Sequence, residues 1–94
     1  MTIDDQTLRK QLLFRSWHRG TREIDLILGR FAERHLAGMD RNRLDAYARL
    51  LENTDPDLYN WLTEREPLPA GIRDDIWRLL MASFSSVATK DSTA

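Results

Sequence analysis

The chain has 94 residues with a hydrophobic fraction of 41% and a charged fraction of 31%, a balance typical of one folded domain. It contains no cysteine, which excludes disulfides and thiolate chemistry, and its formal charge of -1 argues against a dedicated nucleic-acid binder. Its apolar runs are too short to span a bilayer, and its acidic start resembles neither a secretory signal nor a transit peptide. We therefore expect a protein of the bacterial cytoplasm that is monomeric when free.

Hydrophobic residues recur at helical spacing along the chain, without sustained period-two alternation. The spacing predicts a first helix from about Asp5 to His18. Gly20 then supplies a residue that adopts a left-handed conformation easily, a common way for a helix to end. A second helix is predicted from about Thr21 to Leu36. Its buried stripe comprises Ile24, Ile27, Leu28 and Phe31.

Two further helices are predicted in the middle of the chain. Asp40 is a good N-cap for the third helix. In residues 54–57, Asp55 suits the N-cap of a fourth helix and Pro56 suits its first position. Asp57 suits the first turn, where the helix dipole favours a negative charge. The stripe of the third helix comprises Leu44, Tyr47, Ala48 and Leu51. The fourth helix is predicted to bury Leu58, Trp61 and Leu62, with Tyr59 and Asn60 pointing elsewhere.

A fifth helix is predicted from about Ala70 to Val87, opened by Pro69. Its two apolar stripes predict burial on two sides. The first stripe comprises Ile72, Ile76, Leu79 and Leu80, and the second comprises Trp77, Met81 and Phe84. The small polar tail, residues 85–94, is expected to fray. The prediction is a single all-α domain over residues 1–94, a bundle of about five short helices with its ordered core at about 5–84.

Catalytic and metal chemistry find little support in the sequence. The two histidines, His18 and His35, are seventeen residues apart and share no metal-ligand spacing with a carboxylate pair. The four glycines form no phosphate-binding loop, and the serines cluster in the tail, where a nucleophile would not be held in place. We predict no catalytic residue, no metal site and no stably bound cofactor.

The run Arg19-Gly20-Thr21-Arg22-Glu23-Ile24-Asp25, at the junction of the first two helices, concentrates charge on one backbone corner. Each of these residues can be explained by a role at a helix end. Arg19 suits a helix C-terminus, Thr21 suits an N-cap, and Glu23 suits the first turn of a helix. Aromatic and arginine side chains around one corner are also typical of a protein interface. The candidate interface residues are Arg15, Trp17, His18, Arg19, Gly20, Arg22 and Glu23. Both interpretations stay open from the residues alone.

Two segments of the chain together resemble the succinate dehydrogenase flavinylation factors, which comprise bacterial SdhE proteins and mitochondrial succinate dehydrogenase assembly factor 2. The hallmark of that family, Arg-Gly-x-x-Glu, is matched by Arg19, Gly20 and Glu23 and is followed by Ile24-Asp25. Later family patterns are matched by Leu50-Leu51-Glu52, Asp55-Pro56-Asp57-Leu58 and Asn60-Trp61-Leu62. The resemblance extends from about Leu13 to Leu80.

The resemblance implies a small helical assembly factor that binds the flavoprotein subunit of succinate dehydrogenase, and that of fumarate reductase. It would promote covalent attachment of FAD to a histidine of that client. The client would perform the attachment on its own FAD, so the factor itself would be neither enzyme nor stable cofactor binder. Arg19, Gly20 and Glu23 would contact the client, and the interface is extended to Arg15, Trp17, His18 and Arg22.

Two other classes of protein fit the sequence as alternatives. A small helical bundle can hold a helix-turn-helix, and the arginine corner would then contact phosphates. A salt-dependent shift with duplex DNA would favour that class. The second is a general interaction module, such as an antitoxin-like partner, which would copurify with a protein unrelated to flavin.

Overall fold

The computed structural model describes residues 3–93, with side chains described as far as residue 85. Within that part of the chain there are five α-helices and no strand, so the predicted all-α fold is confirmed. The helices are α1 (Asp5–Trp17), α2 (Arg22–His35), α3 (Arg41–Leu50), α4 (Asp55–Leu62) and α5 (Asp74–Thr93). A short 3-10 turn, Leu36–Gly38, extends the end of α2.

Local sequence explains where α1 begins and ends. The carboxylate of Asp4 caps the helix by accepting a hydrogen bond from the backbone N–H of Thr7 at 2.7 Å. The helix ends at Trp17, one residue before the predicted end. Gly20 follows with a φ of +106°, a conformation that side chains disfavour, so its predicted role as the turn residue is confirmed.

The start of α3 is as predicted, whereas the predicted cap of α4 is wrong. The Asp40 carboxylate caps α3 by accepting from the backbone N–H of Arg43 at 2.9 Å. In α4 the hydroxyl of Thr54 caps the helix by accepting from the backbone N–H of Asp57 at 3.2 Å. Asp55 is instead the first helical residue. This shift of one position leaves the Asp55 carboxylate available to another part of the chain.

The last helix begins later than predicted, at Asp74 rather than Ala70. The connector over residues 67–73 is irregular because it contains two prolines and a glycine, while Asp74 and Asp75 suit the positive end of a helix. Ile72 therefore precedes the helix. At its other end α5 continues to Thr93, past the predicted end at Val87. The predicted frayed tail, residues 85–94, lies almost wholly outside the residues whose side chains are described.

One apolar core unites the helices. Phe31 and Tyr47 are fully buried in it, with ring centroids 5.3 Å apart. Trp61 is only 9% exposed, which confirms its predicted place in the core. Most of both predicted stripes of α5 face the core as well, but Leu79 is 39% exposed, contrary to prediction. Trp77, which lies about 200° from Leu79 around the helix axis, is only 8% exposed.

Arginines tie the first helix to the segment that follows α2. The guanidinium of Arg9 donates to the backbone oxygens of Leu36 at 3.0 Å and Met39 at 2.9 Å. Arg41, at the start of α3, pairs with Asp5 at 3.1 Å. These bonds hold the far end of α1 against the turn between α2 and α3, and they leave the other end of α1 at the charged corner.

Candidate functional site

The charged corner, residues 19–25, joins α1 to α2 and is held by the side chain of Asp25. Its Oδ1 atom accepts hydrogen bonds from the backbone N–H groups of Arg19 at 2.6 Å and Gly20 at 3.2 Å. Thr21 occupies the N-cap position of α2, as predicted, but its side chain makes no cap hydrogen bond. Ile24 is only 1% exposed and anchors the same turn in the core. The pair Ile24-Asp25 therefore fixes the shape of the corner.

The side chain of Arg19 points into the protein rather than into solvent. Its Nε atom lies 2.9 Å from Oδ1 of Asp55, and the two side chains are only 11% and 12% exposed. Its Nη1 and Nη2 atoms donate to the backbone oxygens of Leu51 and Asn53. Arg19 thus clamps the corner to the α3–α4 connection. Its prediction as a client contact stays a prediction, while its guanidinium is already committed to internal partners.

A buried polar pair lies behind the corner and fixes the end of α1 against α3. The hydroxyl of Ser16 is fully buried; it donates to the backbone oxygen of Leu12 at 2.7 Å and lies 2.6 Å from the Tyr47 hydroxyl. Burial raises the pKa of Tyr47 well above its ordinary value, so that hydroxyl stays protonated. Since Ser16 already uses its only proton, Tyr47 donates to Ser16.

Two charged residues of the corner do face solvent. Arg22 and Glu23 are exposed, and no ion pair is found for either among the described residues. Glu23 also lies at the edge of a shallow depression of about 320 Å³ between α2 and α4. The depression is lined by Thr21, Glu23, Ile24, Asp55, Pro56 and Tyr59. The corner therefore offers one solvent-facing carboxylate beside a concave, partly apolar surface.

Trp17 is half-buried rather than exposed, because its ring packs against α2. A Cβ atom placed on Gly29 would lie 2.2 Å from Cδ2 of Trp17, so the ring occupies the space that a side chain at position 29 would need. The Nε1 atom of Trp17 donates to Oε2 of Glu33 at 3.0 Å. Trp17 thus has a structural role in joining α1 to α2, and only its outer edge is available to a partner.

The exposed aromatic group at this end of α1 is Phe14, at 63% exposure. The imidazole of His18 stacks on it with ring centroids 4.0 Å apart and an interplanar angle of 17°. The Nδ1 atom of His18 also lies 2.7 Å from the backbone oxygen of Phe14. Arg15 is exposed beside this pair. His18 and Arg15 are therefore on the surface as predicted.

Sequence reasoning missed Phe14, Pro56 and Tyr59. The helical pattern held a signal for Phe14, since it lies two residues, or about 200°, away from the buried Leu12 on α1. Pro56 and Tyr59 enter the site only because Arg19 brings α4 against the corner. In the described part of the chain no group of three His, Cys, Asp or Glu residues is placed to hold a metal, and no helix there is long and apolar enough to cross a membrane.

These features define a small all-helical domain organised around a rigid charged corner. A family model described as "Flavinator of succinate dehydrogenase" matches residues 10–84, most of the chain. The chain belongs to this family, a family of succinate dehydrogenase assembly factors, and the resemblance found in the sequence is thereby confirmed.

Curated relatives carry the name "Succinate dehydrogenase assembly factor 2, mitochondrial". The Dictyostelium discoideum protein is 35% identical over 75 residues, 80% of this chain and 53% of that protein. The Debaryomyces hansenii protein is 44% identical over 64 residues, 65% of this chain and 45% of that protein. The Arabidopsis thaliana protein is 40% identical over 62 residues, 66% of this chain and 33% of that protein. This chain thus spans about half or less of the length of these relatives.

The relatives correct the expected location. The sequence predicted a bacterial cytoplasm, whereas the matched proteins are named as mitochondrial, which points to the mitochondrion. The prediction rested on an acidic, non-targeting start to the chain. It also rested on apolar runs that are too short to span a bilayer.

Proposed function

We propose that this chain binds the flavoprotein subunit of succinate dehydrogenase, and that of fumarate reductase, and promotes covalent attachment of FAD to a client histidine. Membership of a family named for flavination supports the general role. The observation that carries the proposal is the corner itself, where Gly20 has a φ of +106° and no side chain, and where Asp25 and Arg19 hold the backbone still.

Gly20 lets the client approach the backbone closely, because any side chain there projects into the space outside the corner. An added Cβ atom would meet nothing within 4 Å in this chain, so that space is open to a partner. Glu23 would accept hydrogen bonds from client donors at the edge of the depression between α2 and α4. Arg22 would supply a cation to the same surface.

The chemistry would take place within the client. FAD would belong to the flavoprotein, and among the described residues of this chain no group of three His, Cys, Asp or Glu side chains is placed to hold a metal. The factor acts by binding one client conformation more tightly than others, which raises the population of that conformation. A preformed corner suits this role, since rigid surfaces lose less entropy on binding than mobile ones. On this proposal the protein is an assembly factor and not an enzyme.

The test measures covalent flavin on the client. The flavoprotein subunit is expressed with this chain or without it, denatured, and assayed for flavin fluorescence in a gel. We expect strong fluorescence with the wild-type chain and a background level with Gly20→Arg. Gly38→Arg is the control for adding an arginine at an open glycine, because Gly38 also has open space around it but lies at the opposite end of α2, about 20 Å away. Because Gly20 has a positive φ and Gly38 does not, circular dichroism must also show that Gly20→Arg keeps its helical content. Full flavin attachment with Gly20→Arg, or without the factor, would contradict the proposal.

A further inference from the structure

The outward face of α1 carries an aromatic pair that the rest of the described chain leaves uncovered. Phe14 is 63% exposed, well above Leu79 at 39% and Ile3 at 38%. The stacked His18 ring and its bond to the backbone oxygen of Phe14 hold the two rings in one arrangement. A large aromatic group that is both exposed and fixed is a typical anchor of a protein interface.

The surroundings of this pair are cationic. Residues 6–22 contain five arginines and lysines and no Asp or Glu. Two of these cations, Arg9 and Arg19, are bonded to internal groups. Arg15 and Arg22 form no ion pair with a carboxylate among the described residues, and Lys10 has only a longer-range electrostatic interaction with Asp4. The positive charge on this side of the molecule is therefore only partly neutralised within the chain, although its total charge is -1.

The cations and the rings share one surface. Residues 10, 14 and 18 are spaced four apart, which places them about 40° from one another around the helix axis. Arg15 follows Phe14 at the edge of that stripe. We name Lys10, Phe14, Arg15 and His18 the α1 face. It leads directly into the charged corner, because His18 precedes Arg19.

We propose that the α1 face is a second contact surface for the flavoprotein client, and that it takes an acidic client segment carrying an aromatic or large aliphatic residue. The inference rests on the proposed function and adds the chemistry of the partner surface. Phe14 and His18 would contact the apolar residue, and Lys10 and Arg15 would pair with flanking carboxylates. A second copy of this chain is a poor occupant, since it would bring two cationic faces together.

The experiment compares binding of the purified flavoprotein subunit to four single variants of the purified chain. Phe14→Ala and Arg15→Glu alter the α1 face. Leu79→Ala and Arg78→Glu are the matched controls, an exposed apolar residue and an exposed arginine on α5. We expect about tenfold weaker binding or more for each change on the α1 face and less than about twofold for the controls. Raising the salt concentration should weaken wild-type binding more than binding of Arg15→Glu.

Three results would overturn the inference. If Phe14→Ala and Arg15→Glu bind as the wild type does while Gly20→Arg fails to bind, the α1 face is not a contact and the proposed function stands. If Phe14→Ala changes only the sedimentation mass of this chain, the occupant is a second copy. If it changes only binding to duplex DNA or RNA, the occupant is a nucleic acid. Loss of secondary structure in Phe14→Ala is checked by circular dichroism, and Phe14→Leu, which keeps an apolar side chain, should then recover part of the affinity.

Discussion

Arg19→Met should destabilise the folded chain strongly even though Arg19 belongs to the motif that marks the family. Methionine keeps most of the length of the side chain and removes its charge and donors. The substitution leaves the Asp55 carboxylate, at 12% exposure, without the cation that lies 2.9 Å away. It also leaves the backbone oxygens of Leu51 and Asn53 without their donors.

The magnitude follows from those lost partners. Breaking a buried ion pair by removing one member costs about 3–5 kcal/mol. Asp55 keeps slight exposure and lies in the first turn of α4, where the helix dipole favours a carboxylate, so we expect the lower end, about 3 kcal/mol. A domain of this size has a total stability of roughly 5–14 kcal/mol. The melting temperature should therefore fall by about 12–24 °C.

The assay is urea unfolding followed by circular dichroism at 222 nm, with Arg22→Met as the matched control. Arg22 is a nearby exposed arginine without an ion pair among the described residues, so its loss should change stability by less than about 0.5 kcal/mol. A double-mutant cycle with Asp55→Asn should give a coupling energy of about 1–3 kcal/mol. If Arg19→Met is as stable as the wild type and loses only client binding, Arg19 is a surface contact and the clamp is wrong.

Three further predictions concern the core and its edges. Gly29→Ala should destabilise the wild type by about 1–3 kcal/mol, because the added Cβ would lie 2.2 Å from Trp17. In the Trp17→Ala background the same change should stabilise the chain by about 0.5–1 kcal/mol, because alanine has the higher helix propensity. Urea midpoints that do not show this reversal of sign would refute the packing of Trp17 against Gly29. Burial, with a smaller effect of Arg34, lowers the pKa of His35, so its contribution to stability is present above pH 6.5 and lost as the pH falls below that value. His35→Gln should reduce the decline in urea midpoint on acidification from pH 6.5, and an unchanged slope would contradict this. Trp61→Ala should cost about 3–5 kcal/mol, and a variant of normal thermal stability that loses only client binding would place Trp61 in the interface.

Much of the fold could be predicted because it depends on local patterns. Asp40 caps its helix through a hydrogen bond to the residue three positions away, and Gly20 takes a positive φ that few other residues adopt. The stripe of α2 is buried as its spacing indicated. The errors occur where two residues in the sequence could each cap or begin the same helix. Thr54 and Asp55 are both good caps, and Pro69 and Asp74 are both good helix starts, so sequence alone did not decide between them.

The site was predicted less completely, because its residues gain their roles from distant partners. Trp17 was predicted to be an interface residue, but Gly29, twelve residues later, makes room for its ring against α2. Phe14 took no part in the prediction, although the helical pattern places it opposite Leu12. Arg19 had a sound local explanation as a cation at a helix end. Its actual partners lie more than thirty residues further along the chain.

The sequence by itself determined the helices, the glycine turn between α1 and α2, and the family, because these depend on residue type and short spacing. Only the tertiary structure decided which motif residues are available to a partner. Arg19 and Glu23 are both charged members of one motif, yet Arg19 is turned inward to Asp55 while Glu23 faces solvent. The physical reason is that an arginine becomes buried only where a carboxylate and backbone oxygens converge on it. That convergence exists only once α4 has packed against the corner.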